Sequence, residues 1–207
     1  MKKKFSISRL IRYLVLILLS LVFLFPFYWM LTTSFKTGED IFAFPPKLLP
    51  IPATLRWYPE AWRMQDFTRY LLNTLKIVLF NTVFSVFSSA LVAYGFARIR
   101  FTGRKVLFMI VIATMIIPGE VLIMPQYLEF KFLGWLNTHL PLIVPQLFGV
   151  PFYIFLMHQY LQGISTELDE AAIMDGCNRL QLFLSVLLPL IKPVVATCVI
   201  FQYMTSW

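Results

Sequence analysis

The chain has little charge. Charged residues fill 14% of its 207 positions and hydrophobic ones 59%, where a soluble domain carries nearer a quarter charged residues. That deficit excludes an ordinary water-facing globule, and the mean hydropathy of +0.75 agrees. Cysteine and histidine are scarce, with 2 of each. Cys177 and Cys198 form no CxxC pair, and His139 and His158 supply no ligand set, so neither a disulfide framework nor a zinc site is indicated. There is no HExxH and no GxSxG stretch, which leaves a membrane enzyme without a motif. The run Gly103-Arg104-Lys105 lacks the spacing of a GxxxxGK[ST] phosphate loop. Nucleic acid is excluded on another ground. The net charge of +8 sits at the ends of apolar runs, not along a polar face between stacking aromatics.

What is present is a series of long apolar runs separated by polar connectors, the organisation of a multi-spanning helical membrane protein. The first run, about Leu10 to Leu31, follows the basic start "MKKKFSISRLIR" and exceeds the about 20 residues that a crossing needs. It is too long for the apolar core of a signal peptide and ends in aromatics, so an uncleaved span is expected. Residues 34 to about 69 are proline-rich and mixed in charge, which predicts an external loop with short helical pieces.

A second span, about Leu71 to Ile99, carries Asn81, Ser85, Ser88 and Ser89. Small and hydroxylated residues inside a span mark helix packing, with a pathway lining as the other reading. Those four, Tyr94 and Thr114 could meet a sugar, and none is assigned that role. A third span, about Val106 to Met124, is broken by Pro118, with Glu120 placed near the interface. Residues 126 to 139 read as a second external connector. A fourth span runs from about Leu140 to Tyr160, with Pro141, Pro145 and Pro151 in its outer half. A fifth begins at Pro193 and stops at Trp207 while still apolar, short of the about 20 residues of a full crossing. That span is expected to be incomplete, and a bundle left open there is not expected to transport by itself.

Charge sets the orientation. With the amino terminus inside, Lys2, Lys3, Lys4, Arg9, Arg12, Arg98, Arg100, Arg104, Lys105, Arg179 and Lys192 all face the cytoplasm, and the tight turn at 98 to 105 is the best single witness. The polar stretch "DEAAIMDGCNRLQLFLSVLLPLIKP" is then cytoplasmic. Ser165 and Thr166 can cap a helix whose first turn holds Glu167, Asp169 and Glu170. Ala171, Ala172 and Gly176 give it a smooth face, and Gly176 is a natural stop. Asn178 can cap a second helix with Leu180, Phe183, Leu184 and Leu187 on one apolar side, before Pro189 and Pro193. Two short helices across the inner membrane surface are predicted.

The spacing of Glu170, Ala171, Ala172, Gly176, Val186, Leu188 and Pro189 resembles the EAA motif of ABC-importer permeases, with Val186 in place of the usual isoleucine. "AYGFARIRFTGRK", "MIIPGEVLIMPQYL" and "LGWLNTHLPLIVPQLF" extend the likeness over most of the chain from Pro26 onward. Together they are similar to the shorter permease of the maltose-type, carbohydrate-uptake pair. Two departures stand out: Cys177 and Asn178 replace the common Ala-Ser, and the chain stops at Trp207 before the rest of the fifth span and a sixth.

The resemblance implies an all-α, polytopic transmembrane bundle of the type I ABC importer permease kind. It would be one permease domain over 1–207, with first span and amino terminus at 1–33, external loop at 34–69, and core spans at 70–207 bearing a coupling loop at about 161–188. It further implies a sugar-translocating subunit in a bacterial or archaeal plasma membrane, amino terminus cytoplasmic. Its partners would be a second permease, two ABC ATPases, an extracytoplasmic sugar-binding protein and membrane lipid. ATP would be bound by the ATPases, with no cofactor on this chain. Carried over by position, Glu170 contacts the ATPase, Ala171 and Ala172 fit its cleft, Asp175 and Gly176 make the turn, and Pro189 fixes how the loop joins its span. The alternative is a secondary transporter driven by an ion gradient. Such proteins often keep a charge near mid-membrane, whereas Lys76 lies near a span end and Glu120 beside a helix break.

Overall fold

The computed structural model describes residues 7–207. Lys2, Lys3 and Lys4, which entered the charge argument, lie outside the described residues. Helix follows helix along the chain: α1 Ile7–Ser34, α2 Gly38–Ile41, α3 Trp57–Met64, α4 Phe67–Arg98, α5 Arg104–Thr114, α6 Gly119–Phe132, α7 Leu140–Ile143, a 3-10 segment Val144–Phe148, α8 Pro151–Gln162, α9 Glu167–Met174, α10 Arg179–Gln181, a π-helical turn Leu182–Leu187, α11 Leu188–Leu190 and α12 Lys192–Ser206. Among the described residues 3 helices, counting Leu140–Gln162 as one, are long and apolar enough to cross a membrane, or up to 5 if each bent pair is one span. The chain forms two compact units, Met1–Arg69 and Tyr70–Trp207.

In the first unit the expected loop is well tied down. Trp57 Nε1 donates to the Lys36 carbonyl at 2.8 Å, the Thr54 amide to the Phe35 carbonyl at 2.8 Å, and the Tyr28 hydroxyl to the Leu48 carbonyl at 2.9 Å. Lys36 is buried with its ammonium 3.9 Å above the Trp29 ring, a cation–π contact, and Asp40 pairs with Lys47.

In the second unit the small polar residues of α4 pack helices. The span Leu140–Gln162 is interrupted at Gly149, and a broken helix in a membrane leaves backbone groups that need partners. Asn81 Nδ2 donates to the Leu142 carbonyl at 3.0 Å, and the Val150 amide donates to Ser89 Oγ at 2.9 Å. Gly149, at φ 91°, lies so close that a Cβ there would meet Ser89 at 3.4 Å. Around this seam Val86, Ala90, Ala93 and Tyr94 of α4 join Tyr153, Ile154, Met157 and Leu161 of α8, with Phe183, Leu187, Ile191 and Cys198, in one core.

Two expectations need correction. The break at Pro118 is present, with α5 and α6 bent by 96°, but α6 continues to Phe132. Residues 126 to 139 are therefore helical in their first half: Pro125 sits inside α6, but proline disrupts only the turn before it. The second concerns the apolar side of the helix that begins at Arg179. Leu180 and Leu184 are exposed, whereas Leu182, Phe183 and Leu187 are buried. The π turn is the reason. Its i→i+5 repeat places Leu182 and Leu187, five apart, on the same side, where an α-helical period would not.

Candidate functional site

The polar segment folds as two short helices around a sharp turn. At the start of α9, Ser165 Oγ accepts from the Glu167 amide at 3.3 Å. Thr166 occupies the cap position without a side-chain bond, so the capping side chain is Ser165. Glu167, Asp169 and Glu170 place negative charge over the free amides of the first turn. The helix ends in a Schellman motif: the Cys177 amide reaches the Ala172 carbonyl and the Gly176 amide the Ile173 carbonyl, each at 3.0 Å. This geometry requires Gly176 at φ 88°, in the left-handed region that glycine tolerates. Asn178 then opens α10 with a reciprocal capping box to Gln181, both bonds 2.9 Å.

The sides of α9 differ sharply. Asp169 and Ala172 are buried against the chain's own core, so Ala172 is not part of an open smooth face. The face left open carries Glu170, Ala171, Ile173 and Met174, followed by Asp175. Glu170 makes no ion pair among the described residues. Met174 is 87% exposed. Pro189 is exposed in α11, just ahead of the turn at Ile191 where the helix pair bends by 80°. Gly176 and Asp175 share the turn, while Pro189 lies at the far end of the segment and does not join them.

Two residues that matter here were read from the sequence only as topology and packing. Arg98, at the C-terminal end of α4, has Nε 2.8 Å from Asp169 Oδ2, with side-chain exposures of 6% and 12%. The Nε–H does not point along that line, so the contact is an ion pair and not a directed hydrogen bond. Its Nη2 donates instead to the Ile164 carbonyl at 2.8 Å. Burial pushes the Asp169 carboxyl above its ordinary range, Arg98 opposes that rise, and neighbouring Glu170 adds to it. Tyr94, also buried, donates its hydroxyl to the Arg179 carbonyl at 3.0 Å and packs on Phe183. A basic residue closing a span and an acid in the next short helix were the available signals.

Among the described residues no group of three or more His, Cys, Asp or Glu side chains could hold a metal ion. The arrangement offers a surface, not a reaction centre: a short helix anchored on one side and bare on the other.

Comparison with known proteins gives that surface its context. Residues 85–207 match the family described as "Binding-protein-dependent transport system inner membrane component". The chain is 31% identical over 211 residues to the probable ABC transporter permease protein YurM of Bacillus subtilis, covering 100% of this chain and 68% of that protein. It is 29% identical to the arabinooligosaccharides transport system permease protein AraQ of the same organism, covering 99% and 73%. Among solved structures, a bacterial ABC transporter involved in the import of the acidic polysaccharide alginate matches with a TM-score of 0.88 and 27% identity, over 98% of this chain and 73% of that one. Membrane-length helices, a short helix pair with one bare face, and these matches converge: the chain belongs to the binding-protein-dependent transport system inner membrane component family and is a membrane-spanning subunit of an ABC importer.

Proposed function

We propose that this subunit translocates an oligomeric carbohydrate and takes its driving force from separate ATPase subunits that dock on the open face of α9. The relatives' substrates, arabino-oligosaccharides and alginate, support the substrate class. The observation that carries the docking is the two-sidedness of α9, with Asp169 and Ala172 turned into the core and Ala171, Ile173 and Met174 left bare beside Glu170, which makes no ion pair among the described residues. Glu170 makes the polar contact, Ala171 lets the partner surface approach closely, Asp175 and Gly176 end the helix sharply, and Pro189 sets the angle at which the segment re-enters the membrane.

In this reading the amino terminus is cytoplasmic, a second permease completes the translocation path, an extracytoplasmic binding protein delivers the sugar, and this chain hydrolyses nothing. Closure of the ATP-bound ATPases displaces α9 and rotates the helices packed on it as a rigid body between inward- and outward-facing arrangements. The test is Glu170→Lys in the assembled transporter. It leaves membrane insertion intact and abolishes uptake of labelled oligosaccharide; normal uptake would contradict the docking assignment.

A further inference from the structure

The inner end of α4 grips the coupling segment at two points, one on each side of Gly176. Arg98 pairs with Asp169 on α9 at 2.8 Å and holds the Ile164 carbonyl ahead of that helix. One turn earlier, Tyr94 holds the carbonyl of Arg179, the first residue of α10. Residues four apart share a helix face, so both grips come from one side of α4. Both are buried.

A buried ion pair is a poor way to add stability, because apolar residues of similar volume do as well or better without the desolvation cost. What it supplies here is direction. Gly176, at φ 88° with no atom beyond its chain neighbours within 4 Å of where a Cβ would stand, is the natural place for α9 to hinge relative to α10. With both arms tied to α4, that hinge cannot open without separating a buried charge pair or stripping a buried hydroxyl. Higher on α4, Ser89 and Asn81 hold the backbone of the broken helix at Val150 and Leu142. The grip is thus continuous from α9 to the middle of the membrane unit.

We propose that Arg98, Asp169 and Tyr94 are positioning residues that lock α9, α10 and the inner end of α4 into one rigid body, so that displacement of α9 reaches the broken helix instead of being absorbed at Gly176. This rests on the docking of ATPases at α9.

The test measures ATP hydrolysed per sugar imported by the complete transporter in proteoliposomes. Asp169→Asn and Arg98→Gln, in complexes that still copurify with the ATPases, raise that ratio roughly fivefold or more, the scale of an ordinary coupling free energy between sites. Asp169→Glu, which keeps the charge, leaves the ratio at the parent's value. Tyr94→Phe removes one hydroxyl and raises the ratio about twofold, and it carries the test if the charge variants fail to assemble. An unchanged ratio in Asp169→Asn or Tyr94→Phe overturns the proposal, as does an equal rise in Asp169→Asn and Asp169→Glu. Uncoupling by Glu170→Lys alongside unchanged ratios in these variants sinks the rigid link alone; normal uptake by Glu170→Lys sinks the docking and this inference with it.

Discussion

The two longest helices, α1 and α4, are built on opposite plans. α1 has 28 residues, a mean hydropathy of 2.5 over its most apolar window and 0% of that window buried; α4 has 32 residues, 1.8 and 44%. The less apolar helix is the more buried one. In water this would be perverse, but lipid tails are as apolar as leucine, and a bulky apolar side chain gains little by exchanging lipid for protein. Ala90, Ala93, Ser85 and Ser89 gain more, since they let backbones approach, and Ser89 also accepts a hydrogen bond from the Val150 amide of the broken neighbour. In α1, Leu14, Leu18, Leu21 and Phe25 are exposed.

Three substitutions sharpen the contrast. Ser89→Leu has the largest expected effect. It overfills the gap beside Gly149 and strips the Val150 amide of its acceptor, a combined loss of about 3 kcal/mol read by thermal unfolding of the detergent-solubilised protein. Gly176→Ala comes next, at roughly 1 kcal/mol, because the left-handed conformation disfavours a Cβ even with open space around it. Its signature is local: faster hydrogen exchange at the Gly176 and Cys177 amides, with the bundle's unfolding temperature nearly unchanged. Leu18→Ala in α1 has the smallest, under about 0.5 kcal/mol, as expected of a side chain outside the packed core. If Leu18→Ala destabilised the fold as much as Ser89→Leu, the distinction between the helices would collapse.

Much of this was legible where the chemistry is local. The stop at Gly176, the cap at Asn178 and the bend at Pro118 follow from residues acting on their immediate neighbours, and each is present. The packing role of Asn81, Ser85 and Ser89 followed from residue type. The π turn was not legible, because nothing in "LFLSVL" distinguishes a five-residue repeat from an α-helical one, and Leu180 and Leu184 were placed on the wrong side in consequence. Nor was the grip of α4 on α9 and α10. Its hydrogen bonds span 66 and 85 residues, and a contact at that separation leaves no period in the sequence. Arg98 and Asp169 each had an adequate local explanation, as a span-end cation and a first-turn acid, and those explanations hid the pair.

The open face of α9 is the centre of the account, and photo-crosslinking reads it directly. A photoreactive residue at position 174, where Met174 is 87% exposed, is compared with one at position 183, where Phe183 is 0% exposed, in the assembled transporter. A crosslink to the ATPase subunit is expected from position 174 and none from position 183. Crosslinks from position 174 to lipid alone, with the ATPase bound and active, would contradict it.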